Sequence, residues 1–177
     1  MIEKHAIGAA PMTVTIAPLS HADPNAIEAL LDAAFGADRH TRTAYRIRTG
    51  MAPIPALSFA AFDGAQLVGT LQSWPVSIGE APLMLVGPVA VAPQVQRGGI
   101  GRMLMTALIA AAPDIPMVMI GDPEYYGRFF SFTADTTDGW DVPGPVERHR
   151  LLARNGNGLP TSGMLGPRAF ALAEPKA

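Results

Sequence analysis

Apolar and polar positions change period several times along this chain, and each change marks an element. Thr13 to Ala17 is a short β-branched run that predicts a strand. Asp23-Pro24 follows, a capping side chain with proline at the first helical position. Ile27, Leu30, Leu31 and Ala34 then recur at helical spacing as far as Gly36. Residues 38 to 49 read as a second helix, with Arg39, Arg42, Arg46 and Arg48 crowded around Tyr45. Leu57 to Phe62 and Gln66 to Ile78 are strand-like runs joined at Asp63-Gly64, a hairpin dipeptide. A turn at Gly79-Glu80 leads into Leu83 to Ala92, so three successive antiparallel strands are expected. Pro88 has no N–H to give to a ladder and predicts a bulge or unpaired position in the third of them.

From Gly99 to about Ala112 the pattern is apolar almost all round, with Arg102 and Thr106 marking a wet edge one turn apart. This predicts a helix packed across the face of a sheet. Met117 to Ile120 is a short buried strand. The strand–helix–strand order makes the strands at 85–91 and 117–120 parallel neighbours joined by a right-handed crossover. Asp122-Pro123-Glu124 caps another helix, Tyr125 to Phe130. Beyond Ser131 glycine, proline and asparagine accumulate, and strands are expected only near Phe132 and from His149 to Ala153. Residues 1–12 read as a flexible extension, with Met12 a second candidate start, and 13–177 as a single domain without internal repeats.

Residues 86–106, centred on Val89-Ala90-Val91-Ala92-Pro93-Gln94-Val95-Gln96-Arg97-Gly98-Gly99-Ile100-Gly101-Arg102, are the most informative stretch. They deliver a row of backbone N–H groups to the start of a helix, where unpaired donors and a partial positive charge favour an anion. The glycines let a bulky anion approach the backbone, and Arg97 and Arg102 add full charges. This pattern points to a phosphate-bearing ligand without saying which. The Gly-Lys-Ser/Thr ending of a nucleotide-hydrolase loop is missing, and the glycine spacing is not that of a dinucleotide fingerprint.

Composition narrows the classes. Apolar residues reach 49% against 16% charged, which is the balance of a globular protein with a real core. A net charge of −2 gives no general attraction to nucleic acid or to an anionic membrane. No apolar run approaches the roughly 20 residues that span a bilayer, and the first residues predict no signal peptide, so the cytoplasm is the expected compartment. With no cysteine, thiolate metal sites and a cysteine nucleophile are excluded. The four histidines are scattered without metal spacing, and the methionines 103, 105, 117 and 119 read as core filling.

A helical start, an antiparallel hairpin series and a parallel crossover entered through a glycine-rich turn together resemble the GNAT superfamily of N-acetyltransferases. The signature Gln/Arg-x-x-Gly-x-Gly/Ala stands here as Gln96-Arg97-Gly98-Gly99-Ile100-Gly101, preceded by Val89-Ala90-Val91. A second signature, a tyrosine at the start of the helix after the next strand, is matched by Asp122-Pro123-Glu124-Tyr125-Tyr126-Gly127-Arg128-Phe129. From about Thr13 onward, including Pro143-Gly144-Pro145-Val146-Glu147, the chain looks like a bacterial branch of predicted N-acetyltransferases. One departure is that Phe130-Ser131 and then Phe132 stand where the superfamily places Gly-Phe, which predicts a helix one residue longer.

The resemblance implies an α/β fold. Its sheet is mixed and mostly antiparallel, of about six to seven strands flanked by helices, with a parallel, splayed pair at the CoA site. It implies acetyl-CoA as cosubstrate and no metal. Backbone N–H groups of Arg97, Gly98, Gly99, Ile100, Gly101 and Arg102, with Gln96, would hold the pyrophosphate. Main-chain groups from Val89 through Ala90 to Val91 would pair with the pantetheine arm. Tyr126 would protonate the departing CoA thiolate, with Tyr125 the weaker candidate. Without a cysteine to carry the acetyl group, transfer would pass directly to a small-molecule or peptide amine in a ternary complex; no nucleic-acid or membrane partner is expected, and homodimers are frequent on this fold.

Plainer readings stand beside these. The turn can be a tight helix entry, the tyrosines can be packing residues, and the arginines of 38–49 can be a solvated face. Alternatively those arginines, with Tyr45 and Trp74, line an acceptor pocket and favour a carboxylate-bearing acceptor. A base for the amine is expected, and Glu80 and Glu124 are the carboxylates near the site, although each suits a turn or a cap. The alternatives to the enzyme are a non-catalytic CoA-binding or sensor domain on the same fold, and an interaction module with another phosphate ligand.

Overall fold

A computed structural model of the chain describes residues 12–96 and 98–168. The expected extension over 1–12 therefore lies, Met12 apart, outside the described residues, as does Arg97.

Strand β1 (Val14–Pro18) leads to helix α1 (Pro24–Phe35). Asp23 accepts from the Asn25 N–H as its cap, and Gly36 ends the helix at φ 91°, the left-handed region that favours glycine. The helix expected over 38–49 is shorter and divided. A 3₁₀ turn at Arg39–Thr41 is followed by extended Arg42 and then by α2 (Thr43–Ile47). Strands β2 (Phe59–Asp63), β3 (Gln66–Ile78) and β4 (Ala81–Val91) form the expected antiparallel series. Helix α3 (Ile100–Ala111), strand β5 (Met117–Ile120) and helix α4 (Pro123–Phe130) follow.

Past α4 the structure corrects the sequence reading. Around Phe132 there is only one isolated bridge, Thr133 to Ala153, and His149 sits in a 3₁₀ turn ahead of β7 (Leu151–Arg154). Two strands went unforeseen, β6 (Gly139–Asp141) and β8 (Ser162–Pro167). The sheet therefore has eight strands among the described residues rather than six to seven. The order is β1-β2-β3-β4-β5-β7, with β8 pairing both β3 and β6.

Among the described residues only β4–β5 and β6–β8 run parallel. The β4–β5 ladder is short, Met84 with Met117 and Leu85 with Val118. From Val86 to Val91 the main chain of β4 keeps β3 on one side and has no strand on the other among the described residues. The bulge expected at Pro88 is present: Leu71 faces Val89 and Ser73 faces Val86, so Gly87 and Pro88 together oppose Gln72. An extra residue inverts the in–out alternation. Val89 and Val91 thereby join the core on the same face as Met84 and Val86, and Ala90 turns to the other face against α1.

Alternate residues of β4, β5 and β7 feed two cores. Met84, Met117, Met119 and Leu152 pack with α3 through Ile100, Leu104, Met105 and Leu108. Leu83, Leu85, Val118, Leu151 and Ala153 pack with Ile47 of α2, Trp74, Trp140 and Leu165. The sheet thus separates a layer holding α3 from a layer holding α2.

Candidate active site

A cleft of about 930 Å³ lies where β4 parts from β5. One wall is α2 with the preceding 3₁₀ turn, from Arg39 to Arg48, and a second is the segment Pro145-Val146-Glu147. The floor is Leu85, the bulge Gly87-Pro88-Val89 and the end of β5, and the far side is Gly121, Asp122 and Tyr126 at the start of α4.

Tyr126 reaches this lining because Asp122 caps α4 through the Glu124 N–H at 3.0 Å and Pro123 fixes its first turn. Its ring lies against Gly121, where an added Cβ would come within 2.8 Å of it, so only glycine admits the ring at that position. Burial pushes the Tyr126 hydroxyl up to about 12, helped by Tyr125 and Asp122. A tyrosine so placed is a neutral proton donor at any physiological pH. Tyr125 does not line the cleft. It packs edge-on against Tyr126 and Phe129, and burial raises its hydroxyl while Arg102 opposes that shift.

The glycine-rich turn stands at the other end of β4, outside the cleft. Gln96, Gly98 and Gly99 are exposed, and Gly99 takes φ 72° as the residue ahead of α3. Helix α3 begins at Ile100, so the N–H groups of its first turn have no intrahelical acceptor. An added Cβ on Gly101 would meet only Val91, at 3.9 Å, which leaves the backbone approachable. The Arg102 guanidinium lies 4.2 Å from the centre of the exposed Phe129 ring. The predicted residues are thus divided: Val89 and Tyr126 share the cleft, Gly98 to Arg102 border α3, and the open edge of β4 joins the two places. Ala90, fully buried, has only its main chain to offer.

The arginines correct the picture of a solvated face. Arg42 and Arg46 are exposed, but Arg39 and Arg48 are 3% and 7% exposed. Arg39 is held by Glu28, by Asp32 at 2.9 Å and by the Tyr45 hydroxyl at 2.7 Å. Arg48 lies 3.5 Å from the Trp74 ring centre and 4.1 Å from that of Tyr45. Trp74 itself stays behind Arg48, donating from Nε1 to the Gly87 carbonyl at 2.7 Å. The Pro143–Glu147 segment is tied to α2, Thr43 donating to the Pro145 carbonyl and Arg46 to that of Pro143 at 3.3 Å. Glu80 and Glu124 do not line the cleft; its carboxylates are Asp122, engaged as a cap, and Glu147, which sequence reading passed over. Among the described residues no three His, Cys, Asp or Glu groups gather as a metal site, and no helix is long and apolar enough to cross a membrane.

Comparison with solved structures finds the same fold in a bacterial acetyltransferase. The GNAT family N-acetyltransferase YhbS from Escherichia coli, solved in complex with CoA, superposes with a TM-score of 0.68 at 21% identity, over 90% of this chain and 92% of that one. A GNAT family acetyltransferase from Brucella melitensis, in complex with acetyl-CoA, gives 0.49 at 25% identity over 81% and 97%. No curated protein matches the chain. The model of the acetyltransferase (GNAT) family matches residues 25–120, more than half of the length. The chain belongs to the acetyltransferase (GNAT) family.

Proposed function

We propose that this protein moves an acetyl group from acetyl-CoA directly to the nitrogen of an amine acceptor while both are bound. The observation that supports this most is the continuity of the open β4 edge with a cleft that has Tyr126 in its wall. The CoA-bound neighbour supports the choice of donor. The residues present suit it. First-turn N–H groups of α3, unscreened at Gly99 and Gly101 and joined by Arg102, would hold a pyrophosphate. The unpaired main chain from Val89 to Val91 would hold an extended amide arm. As the acceptor nitrogen bonds to the acetyl carbon and the C–S bond breaks, Tyr126 gives its proton to the sulfur, and the amine's proton leaves to solvent or to a cleft carboxylate such as Glu147. Holding both partners at one cleft supplies the orientation on which such a transfer depends. Acetyl-CoA is a cytoplasmic metabolite, and the reading carries that location with it.

Calorimetric titration with acetyl-CoA, CoA and 3′-dephospho-CoA tests the reading. Micromolar binding is expected, weakened at least about tenfold in Gly101→Glu, which sets a carboxylate among the first-turn N–H groups. Thiol release on adding amines then scores turnover. No binding of any of the three would sink the transferase reading; binding with no thiol release across an amine panel would leave a CoA-binding domain.

A further inference from the structure

Among the described residues five arginines line the cleft, and four of them have a hydrogen-bond partner. Arg39 is held by two carboxylates and the Tyr45 hydroxyl, and Arg42, Arg46 and Arg150 donate to the carbonyls of Phe35, Pro143 and Gly121. Arg48 differs. It is 93% buried, its Nη1 has no hydrogen-bond partner, and it joins no ion pair among the described residues. A cation so buried with an unpartnered donor is costly, Tyr45 and Glu28 offset only part of the burial, and an anion from outside would complete it. Burial pushes Arg48 down to about 10, which still leaves it charged at neutral pH.

Its setting gives a plane and an address. The guanidinium lies against the Trp74 and Tyr45 rings, an arrangement that fixes a planar fork rather than a mobile charge. Through Trp74 Nε1 it sits one layer from the Gly87 carbonyl, at the bulge where β4 leaves β5. The cleft carboxylates do not compensate it: Asp122 caps α4, and Glu147, two-thirds exposed, stands 3.5 Å from His149.

We propose that Arg48 is the specificity residue for the acceptor, taking the carboxylate of a small amino-carboxylate whose amine is presented to the open end of β4. This names the substrate class of the cleft described above and rests on that reading of it. The Trp74 and Tyr45 rings hold the fork, and the incoming carboxylate supplies the partner that Nη1 lacks.

Trp74 reports the event directly, because Trp140, the other tryptophan, is fully buried away from the cleft with its Nε1 on the Pro160 carbonyl. Glycine, β-alanine and L-phenylalanine, each against its own carboxamide, are titrated while tryptophan emission is followed. The free acids are expected to shift emission with millimolar affinity, roughly ten- to a hundredfold tighter than the amides. Arg48→Gln should abolish that preference, and Arg48→Lys should keep part of it, with folding of both checked by circular dichroism. Equal responses from acid and amide, no response from either, or a preference that survives in Arg48→Gln would overturn the proposal. The contrast between acid and amide in the unmodified protein stands even where a variant fails to fold. The readout is binding, so loss of thiol release with the acid preference intact overturns the transferase reading alone.

Discussion

A tyrosine hydroxyl proposed as a proton donor must first be kept from losing its proton, and burial does this at Tyr126. Tyr126→Phe removes the proton and little else, so turnover should fall by about 10²–10⁴ while calorimetric affinity for acetyl-CoA stays within about twofold. Stability offers a second readout. The folded hydroxyl titrates near 12 against about 10 in an unfolded chain, so the stability it contributes is whole below pH 10 and is lost as pH rises towards 12. Arg48, pushed down to about 10, works in the opposite direction over the same range. The difference between the protein and Tyr126→Phe isolates the tyrosine: urea midpoints at pH 9 and 11.5 should show about 2 kcal/mol more alkaline loss in the parent. The place of Tyr126 in the first turns of α4 was legible because the capped helix start and the family signature select it. Arg48 was not, since four arginines in one short stretch look alike until the packing of Trp74 and Tyr45 buries one of them.

At the scale of elements, strong local signals were read well. The capped α1, β5 and α4 form where their patterns say, and the β2–β3 hairpin forms with its turn one residue later, at Gly64-Ala65, Asp63 still pairing with Gln66. The errors fall where tertiary contacts outweigh local preference. Arg42, extended at ψ 149°, interrupts the expected second helix, and Arg39 just before it is turned onto the acids of α1. Strand β8, Ser162-Gly163-Met164-Leu165-Gly166-Pro167, has two glycines and a terminal proline, weak strand formers that pair because β3 and β6 offer edges. The Gly-Phe departure resolves simply: α4 stops at Phe130, and Ser131 takes φ 61°, the left-handed place usually given to glycine. Ser131→Gly should therefore stabilise the protein by about 0.5–1 kcal/mol, read as a melting temperature higher by about 1–4 °C. Gly69 is the opposite case. A Cβ there would meet Ile100 Cγ2 at 2.8 Å and Leu104 Cδ1 at 3.1 Å, so β3 lets α3 lie close only through a missing side chain. Gly69→Val should cost about 1–3 kcal/mol in urea unfolding. It should also weaken acetyl-CoA binding, because Ile100 opens the helix whose first turn would receive the pyrophosphate.

The whole molecule divides the labour between the two faces of one sheet. The layer under α3 supports the glycine-rich turn, and the layer under α2 supports Arg48, Trp74 and one wall of the cleft. The sequence shows alternation in each strand, but which helix covers which face depends on the bulge at Gly87-Pro88 and on β8, neither of which a local pattern assigns. Because each helix packs on its own face of the sheet, damage to one core should leave the other face's ligand nearly untouched. Leu165 tests this: it is fully buried in β8, pairs with Ile78, and belongs to the core that includes Ile47 of α2, which packs on β8. Leu165→Ala should destabilise by about 2–5 kcal/mol, within what a domain of this size withstands. Its acetyl-CoA affinity should stay within about twofold, while the carboxylate response of Trp74 weakens several-fold as α2 loses its support. Leu104→Ala, in the core beneath α3, should reverse the order and weaken acetyl-CoA binding first. Parallel titration of the two variants decides it: equal losses of both ligands in both proteins would mean that the sheet transmits strain between its faces, and the separation of donor and acceptor sides would fall.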